Sequence, residues 1–383
     1  MIPFDFQPRT RIVFGAGKLE SLGELAGELG ARRALLVSDP GIMAAGHTPR
    51  ALEALAKAGI ETHLFEGVHE NPTTADVEAG LKVAKRYDPE IIIGLGGGSS
   101  MDAAKGINFL YTNGGRMQDY WGVGKALRAM LPMIAVPTTA GTGSEAQSFA
   151  LISDAETHVK MACGDKKASF RVALLDPLLT VTQPAKITAL TGIDAVAHAL
   201  ETYVTTRRNP ASLAFSREAW RLLASNFALV LREPENIEAR SGMQLGACFA
   251  GLAIENSMLG ATHALANPLT ASYGIVHGQA IGVMLPHVIR YNGAEFPQWY
   301  RELLEVTDGC DGAPPPDAGP EGLAEFITRL VSLAQLPTRL RECGVETEKM
   351  PHMAENAAKQ WTGTFNPRPL STEQFLGLYQ QAF

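Results

Sequence analysis

The first half of the chain alternates short apolar runs with longer segments in which apolar residues recur at helical intervals. Residues 34–38 and 91–95 are predominantly apolar runs of strand length, whereas residues 18–29 and 73–87 follow the helical spacing. Strands that are apolar along their whole length are typical of a parallel sheet covered by helices on both faces. The pattern therefore predicts an α/β domain built on a parallel sheet.

The strand-like runs stop near residues 182–184, and long segments rich in alanine and leucine follow. Examples are residues 210–231 and 241–259. Apolar segments of this length with helical spacing favour helices over strands. The sequence therefore predicts two domains, an α/β domain over residues 1–183 and an all-α domain over residues 184–383.

Composition limits the classes of partner. A chain of 383 residues is longer than one hydrophobic core usually supports, and its hydrophobic content of 46% can fill two cores. Its formal net charge is −7 and no basic patch stands out, whereas nucleic acids and anionic membranes are bound by basic surfaces. We therefore expect neither nucleic acid nor a membrane as a partner.

The four cysteines are scattered along the chain without paired spacing, at Cys163, Cys248, Cys310 and Cys343. This pattern favours free thiols in a reducing compartment over a disulfide framework. The N-terminus lacks the basic start and apolar run of a signal peptide, and no window approaches the roughly 20 apolar residues of a membrane span. The sequence therefore predicts a cytoplasmic protein.

A glycine-rich turn follows the apolar run at residues 91–95 and reads Gly96-Gly97-Gly98-Ser99 before a helical segment. Glycine lets the backbone approach a ligand closely, and the free N–H groups at the start of a helix favour a phosphate. The turn predicts a pyrophosphate site, and a turn with only a packing role is the alternative. It matches neither the Walker pattern nor the usual G-x-G-x-x-G fingerprint.

A second polar loop follows the apolar run at residues 131–136. It reads Pro137-Thr138-Thr139-Ala140-Gly141-Thr142-Gly143-Ser144-Glu145, and its four hydroxyls can donate to phosphate and ribose oxygens. Two such loops on adjacent strand ends would flank one crevice, which is where open α/β sheets bind ligands. A solvated connection without a ligand is the alternative interpretation.

Asp39 follows the strand predicted at residues 34–38. A carboxylate at this place suits hydrogen bonds to the ribose hydroxyls of adenosine and would repel a 2′-phosphate, which favours NAD over NADP. Aspartate after a strand is also an ordinary turn residue or helix N-cap. Both interpretations stay open at this point.

The pair Asp194 and His198 lies in an Ala-rich, Pro-free run that extends to Tyr203. Four residues apart on a helix, the carboxylate and the imidazole project from the same face. His263 and His277 could complete a site for a divalent ion such as iron(II) or zinc. A buried ion pair without a metal is the alternative. Three of the nine histidines fall in this apolar region, where an unpaired charge is costly, and this favours the metal.

These motifs together resemble a known family. They are residues 96–99, 137–145, 191–201 and 260–287, joined by residues 336–341 and 366–370. In this order they resemble the iron-containing (group III) alcohol dehydrogenases over essentially the whole chain. The resemblance implies hydride transfer between NAD(H) and a small primary alcohol or aldehyde, with iron(II), or zinc, acting on the substrate oxygen.

The resemblance also implies an architecture. It comprises an N-terminal Rossmann-like dinucleotide-binding domain and an all-α C-terminal domain, the fold shared with dehydroquinate synthase, with the metal and nicotinamide in the cleft between the domains. Members are commonly homodimers or larger homo-oligomers. We therefore expect a homo-oligomer.

Roles for individual residues follow from their positions in the family's motifs. The implied metal ligands are Asp194, His198, His263 and His277. The implied cofactor-binding residues are Gly97, Gly98 and Ser99 for the pyrophosphate, and Thr138, Thr139 and Thr142 for the adenine and ribose region. Gly96 and Ser144 of the same two loops, and Asp39 from its place after a strand, complete the predicted cofactor-binding set. Asp102 and Lys160 are implied on the nicotinamide side and are the candidate catalytic residues with Asn267.

Asn267 is a departure from the family. Many members carry a further histidine four residues after the third ligand, linked to proton transfer, whereas asparagine cannot titrate. The proton route is therefore an open question at the level of the sequence.

Two other functions are alternatives. One is a metal- and NAD-using lyase of the dehydroquinate synthase type, which needs many basic residues for a phosphorylated carboxylate substrate; residues 251–277 contain no lysine or arginine. The other is a non-catalytic nucleotide-binding relative, which the four intact ligand positions argue against.

Overall fold

A computed structural model describes residues 3–307 and 310–383. The chain divides into two compact units. One unit contains Gln7–Thr139 and Gly143–Gln183 and holds the sheet, and the other contains the long segment Pro184–Phe383 together with Ala140–Thr142.

The sheet unit alternates strands and helices. Its strands are β1 (Arg11–Phe14), β2 (Arg33–Val37), β3 (Glu61–Phe65), β4 (Ile91–Gly96), β5 (Gly122–Val123), β6 (Met133–Pro137), β7 (Phe149–Ser153), β8 (Lys160–Gly164) and β9 (Val172–Leu175). Its α-helices are α1 (Leu22–Glu28), α2 (Pro40–Ala44), α3 (His47–Lys57), α4 (Thr74–Tyr87) and α5 (Gly98–Asn113).

Six of these strands form one parallel sheet in the order β1-β9-β6-β4-β2-β3. Ile91 and Ile93 of β4 belong to the core on one face of the sheet, whereas Ile92 belongs to the core on the other. All three side chains are fully buried. This is the doubly covered sheet that the continuous apolar runs predicted, and the predicted fold class is confirmed.

The segment predicted as one helix over residues 18–29 is two elements. A 3₁₀ turn over Lys18–Ser21 precedes α1. The carboxylate of Asp176 accepts hydrogen bonds from the backbone N–H groups of Gly17 and Leu19, both at 3.0 Å. A partner so distant in the sequence fixes the first turn, and helical spacing alone does not reveal it.

A second, three-stranded sheet in the order β5-β8-β7 was not predicted. The turn between β7 and β8 is organised by Asp154, whose Oδ1 accepts the N–H groups of Glu156 at 3.0 Å and Thr157 at 2.8 Å. Gln118 donates to the other carboxylate oxygen at 2.6 Å. The strands are short and partly exposed, so they carry little of the apolar signal that identifies buried strands.

The second unit is helical throughout its described elements. Its α-helices are α6 (Ala185–Val204), α7 (Pro210–Arg232), α8 (Ile237–Asn256), α9 (Ala261–Tyr273), α10 (His277–Gly293), α11 (Pro297–Val306), α12 (Gly319–Leu333), α13 (Met350–Ala358) and α14 (Thr372–Gln381). One hydrophobic core runs through them, and fully buried members include Trp220, Phe227 and Leu303. None of the described helices combines the length and apolar character needed to cross a membrane.

Helices α6 and α10 approach each other closely at Gly278. A Cβ atom built on Gly278 would lie 2.2 Å from the backbone oxygen of Leu190, far inside contact distance. The absence of a side chain therefore allows the two helices to pack at this distance. The contact matters for the site because Gly278 follows His277 directly.

Candidate metal and dinucleotide sites

The four predicted metal ligands lie together in the helical unit, where three imidazoles surround one carboxylate oxygen of Asp194. Asp194 and His198 project from α6, His263 from the first turn of α9 and His277 from the start of α10. The Nε2 atoms of the three imidazoles lie 3.4, 3.5 and 3.7 Å from Asp194 Oδ1, in the order His198, His263, His277. Ligand atoms about 2.1 Å from one ion lie about 3.4 Å apart in a tetrahedral arrangement, so each distance to Asp194 Oδ1 suits a shared ion. The ligand atoms of Asp194, His263 and His277 also all lie within 4.8 Å of one another, and His198 is not part of that closer group.

Two of these ligand atoms lack a hydrogen-bond partner. Asp194 Oδ1 and His263 Nε2 are buried, and neither has a hydrogen-bond partner among the described residues. A buried polar atom without a partner costs free energy, and a divalent cation at the point of convergence would satisfy both atoms. One carboxylate oxygen and three imidazole nitrogens are a donor set that iron(II) and zinc accept. The residues present therefore fit a metal.

The charged groups in this cluster shift one another's pKa values. Burial alone would raise the pKa of Asp194, but the imidazoles of His198, His263 and His277 lower it, so the carboxylate is ionised. Burial lowers the pKa of His198 and keeps that imidazole neutral. For His263, burial opposes the charge, but the carboxylates of Glu201 and Asp194 raise its pKa to about 9. A site with two carboxylates and no cation attracts protons, and a metal would replace them.

Glu201 belongs to this site and was missed at the sequence level. It lies on α6 seven residues after Asp194 and is 3% exposed. Its carboxylate pairs with His263 Nδ1 and accepts the backbone N–H of Thr262. The spacing of Asp194, His198 and Glu201 along one helix face was a signal that could have identified it.

The predicted dinucleotide loops follow three neighbouring strands of the sheet unit. Gly96 of β4 pairs with Pro137 of β6, so the glycine turn and the threonine loop leave the sheet side by side. Asp39 follows β2, the neighbour of β4 on its other side. Because all these strands are parallel, the three loops share the carboxyl edge of the sheet, where such sheets bind nucleotides.

The glycine turn has a backbone that other residues rarely adopt. Gly96 has φ +145°, and a Cβ there would lie 2.4 Å from Ser100 Oγ and 3.1 Å from Asp39 Oδ2. Gly97 is the N-cap of α5, which begins at Gly98. The first N–H groups of a long helix therefore open directly from this turn, as the pyrophosphate interpretation requires.

Asp39 and Ser99 both form hydrogen bonds within the sheet unit. Asp39 caps α2 by accepting the N–H of Ile42 at 3.1 Å, and its other oxygen accepts the Ser100 hydroxyl at 3.1 Å. Both sequence interpretations of Asp39 are thus compatible with the fold, because an N-cap role is observed and the residue lies at the sheet edge. Ser99 Oγ accepts the N–H of Asn71 at 3.2 Å.

The threonine loop is divided between the two units. Thr138 and Thr139 end the sheet segment, whereas Thr142 is grouped with the helical unit and Ser144 returns to the sheet unit. Thr138 is 3% exposed, and its hydroxyl has no hydrogen-bond partner among the described residues. An unpartnered buried hydroxyl next to the glycine turn is consistent with a ligand contact there.

Asp102 lies in a buried polar cluster on α5. Ser144 Oγ donates to Asp102 Oδ1 at 2.6 Å, and Lys105 Nζ lies 3.6 Å from the same oxygen. Lys105 is fully buried and donates to the backbone oxygens of Ser144 and Phe149 at 2.8 and 2.7 Å. Burial raises the pKa of Asp102 against the opposing charge of Lys105. Lys105, three residues after Asp102, is a further member of this region that was missed.

Lys160 and Asn267 occupy different surroundings. Lys160 is exposed at the start of β8, and its charge acts on the pKa of Asp102 in the same unit. Asn267 lies on α9, one turn after His263, and its amide nitrogen donates to Gln360 Oε1 at 2.9 Å. The side chain at the position of the family's extra histidine is therefore already engaged.

Two family profiles match the chain in succession. The profile "Iron-containing alcohol dehydrogenase" matches residues 8–177, and "Fe-containing alcohol dehydrogenase family, C-terminal" matches residues 188–383. Together they span nearly the entire sequence. They confirm the family that the sequence motifs predicted.

Individual relatives match over their full lengths. The 1,3-propanediol dehydrogenase of Klebsiella pneumoniae is 36% identical over 383 residues, covering 99% of each chain. The NAD-dependent methanol dehydrogenase of Bacillus methanolicus is 31% identical over 370 residues, covering 97% of each. A solved structure of a 1,3-propanediol oxidoreductase matches with a TM-score of 0.95 at 36% identity, covering 100% of both chains. These matches confirm the predicted fold class and enzyme class.

Proposed function

The chain belongs to the iron-containing alcohol dehydrogenase family, and on this premise we propose the reaction and the residues that perform it. The enzyme transfers hydride between NAD(H) and short primary alcohols or aldehydes. An iron(II) ion, for which zinc is the chemical alternative, is held by four residues of the helical unit: Asp194, His198, His263 and His277.

A single observation carries the metal assignment. Three imidazole nitrogens lie within 3.4–3.7 Å of Asp194 Oδ1, in a buried place where that oxygen and His263 Nε2 have no other partner among the described residues. When bound, the ion supplies a Lewis acid that lowers the pKa of an alcohol oxygen or polarises an aldehyde carbonyl. The protein contributes the position and the ionisation of the ligands: Asp194 is ionised and His198 is neutral.

We assign NAD to the loops at the carboxyl edge of the sheet. The N-terminal turn of α5 offers free N–H groups to the pyrophosphate, with Gly97, Gly98 and Ser99 as its residues. Thr138, Thr139, Thr142 and Ser144 are assigned to the second loop, with Asp102 and Lys160 on the nicotinamide side. Asp39 supports NAD over NADP because an acidic side chain at this place would repel a 2′-phosphate. The name of the methanol dehydrogenase relative states NAD dependence.

We assign no proton transfer to Asn267, because an amide cannot titrate and its nitrogen is bonded to Gln360. The substrate is proposed only as a class. The relatives reported above include a 1,3-propanediol dehydrogenase and a methanol dehydrogenase. Their names support small primary alcohols as the substrate class. The lyase alternative is not favoured, since the family matches are to alcohol dehydrogenases and residues 251–277 lack the basic side chains that it needs.

The decisive experiment follows NADH oxidation with a panel of short aldehydes under anaerobic conditions. Protein stripped of metal is compared with protein reloaded with iron(II) or with zinc. Turnover should appear only on reloading, and the more active ion identifies the metal. The variant His263→Ala should bind the metal poorly and lose turnover, whereas His352→Ala, which removes an exposed histidine of the same unit, should behave as wild type.

Full turnover of the stripped protein would contradict the metal assignment and leave the cluster with a structural role. Metal binding without turnover of any alcohol or aldehyde would favour the non-catalytic relative. The two results distinguish a wrong metal assignment from a wrong assignment of the reaction.

Assembly and location are proposed at a coarser level. The homo-oligomer implied by the family is tested by analytical ultracentrifugation of the metal-loaded protein. A reducing, cytoplasmic environment is supported by the four cysteines, none of which forms a disulfide in the structure.

A further inference from the structure

Glu201 is a buried carboxylate on the same face of α6 as two metal ligands. Asp194, His198 and Glu201 lie at positions i, i+4 and i+7 of this helix, a spacing that places all three on one face. The Glu201 side chain is 4% exposed, and it pairs with the imidazole of His263. A buried carboxylate is costly unless its oxygens are satisfied, so its contacts indicate what it does.

Both oxygens of Glu201 contact the first turn of α9. Oε1 accepts the backbone N–H of Thr262 at 2.6 Å, and Oε2 forms a short hydrogen bond with His263 Nδ1. The first N–H groups of a helix have no partner within the helix. Here Glu201 accepts the backbone N–H of Thr262, and Asn366 Oδ1 accepts the backbone N–H of Ala261 at 3.3 Å. One carboxylate therefore contacts both the backbone and the side chain of this turn.

The contact at Nδ1 determines which nitrogen of His263 can bind a metal. A neutral imidazole carries one proton, and the nitrogen that donates to a carboxylate is the nitrogen that holds it. In the neutral form, which is the one that can bind a metal, Nδ1–H is directed at Glu201 and the lone pair lies on Nε2. That is the atom 3.5 Å from Asp194 Oδ1, buried and without another partner among the described residues.

We propose that Glu201 is a positioning residue for the metal site: it anchors the first turn of α9 and holds His263 in the tautomer whose Nε2 binds the ion. Partners of this kind behind a ligand histidine typically change metal affinity by about 10- to 100-fold. This inference rests on the proposed metal assignment. It adds a residue that binds neither metal nor substrate.

The test compares metal affinity in Glu201→Gln with wild type. Glutamine has nearly the same shape but only one acceptor oxygen, so it cannot accept from Thr262 N–H and His263 Nδ1–H together. We expect zinc and cobalt(II) affinity, measured by competition with a chromophoric chelator, to fall about 10- to 100-fold. The absorption bands of the cobalt(II)-loaded protein should also change, because the geometry of one ligand is altered.

The matched control is Glu302→Gln. Glu302 accepts a hydrogen bond from the hydroxyl of Tyr203, also on α6, at 2.7 Å. This variant makes the same chemical change in the same unit, and we expect wild-type metal affinity and spectrum. Glu201→Asp keeps the charge but withdraws both oxygens by one methylene, and its affinity should lie between those of wild type and Glu201→Gln.

Wild-type affinity and an unchanged cobalt(II) spectrum in folded Glu201→Gln would overturn the proposal. If that variant does not fold, wild-type affinity in Glu201→Asp would overturn it instead. A wild-type protein that binds no metal would overturn this inference and the proposed function together. Metal that binds through His263 and depends on Glu201, without turnover of any substrate, would support the inference while the proposed function fails.

Discussion

At the scale of single residues, the site depends on side chains that each make two contacts. Asp39 caps α2 through one oxygen and accepts the Ser100 hydroxyl through the other. Glu201 divides its oxygens in the same way between Thr262 and His263. Substitutions at such positions must keep the structural contacts while they remove the property under test, if they are to report on function.

Asp39→Asn makes this separation and tests the preference for NAD. Its amide oxygen can still accept from Ile42 N–H and its nitrogen can face Ser100 Oγ, so only the charge is lost. A charge near a phosphate contributes on the order of 1 kcal/mol in a partly solvated place. We expect the ratio of kcat/KM for NADPH to that for NADH to rise at least about fivefold.

The control is Asp88→Asn, which removes an exposed carboxylate elsewhere in the same unit. Its cofactor preference should stay that of wild type. An unchanged ratio in Asp39→Asn would show that this carboxylate does not face the adenosine ribose.

At the scale of elements, the sequence predicted the parts that carry continuous apolar signals. The strand at residues 91–95 and the helix at residues 73–87 were found as β4 and α4 within one residue at each end. The small sheet of β5, β7 and β8 was not predicted, because its strands are short and each contains an exposed position. The role of Glu201 was not predicted either, because it arises from a contact between residues 62 positions apart.

The turn between β4 and α5 gives a prediction about glycine. In Gly96→Ala the new methyl group would meet Ser100 Oγ at 2.4 Å, and the φ of +145° is strained for alanine. We expect unfolding free energy to fall by about 1–3 kcal/mol and NADH binding to weaken. Urea unfolding and NADH fluorescence titration measure the two effects. Gly27→Ala on α1, where a Cβ meets nothing within 4 Å, should be neutral or slightly stabilising.

The turn between β7 and β8 gives a prediction about pH. The backbone N–H of Thr157, together with Gln118, lowers the pKa of Asp154 from 3.8 to about 2. A lowered folded-state pKa contributes stability that is present above the unfolded value and is lost as pH falls through the folded value. Asp154→Asn should therefore lower the melting temperature most at neutral pH, and the difference from wild type should shrink below pH 3.8.

Thermal unfolding of both proteins at several pH values measures this difference. Glu156→Gln removes a carboxylate from the same turn and should show no comparable pH-dependent gap. A gap of constant size between Asp154→Asn and wild type from neutral to acid pH would show that the ionised carboxylate does not organise the turn.

At the scale of the whole molecule, the predicted ligands fall into different compact units. All four proposed metal ligands belong to the helical unit, whereas Asp39 and the glycine turn belong to the sheet unit. The motifs indicated this division, because the glycine and threonine loops follow strands and the histidines lie on helices. The sequence did not indicate that Thr142 groups with the helices while Ser144 groups with the sheet.

Hydrogen exchange should show separately where the metal ion and NADH bind. A ligand that binds only the native state stabilises it, by about 2.7 kcal/mol at a free concentration of 100 Kd. Zinc added to metal-stripped protein should protect peptides from α6, α9 and α10 most strongly. NADH added alone should protect the segments that follow β2, β4 and β6, and metal-induced protection absent from α6 would contradict the proposed ligand set.

The contact between Gly278 and Leu190 limits how this sequence can change during evolution. The obstruction to a larger residue at position 278 is a backbone oxygen, and every amino acid at position 190 carries the same atom. No compensating substitution at position 190 can therefore make room, so the requirement for glycine does not depend on genetic background. A residue without a side chain thus becomes as restricted as the proposed metal ligand beside it.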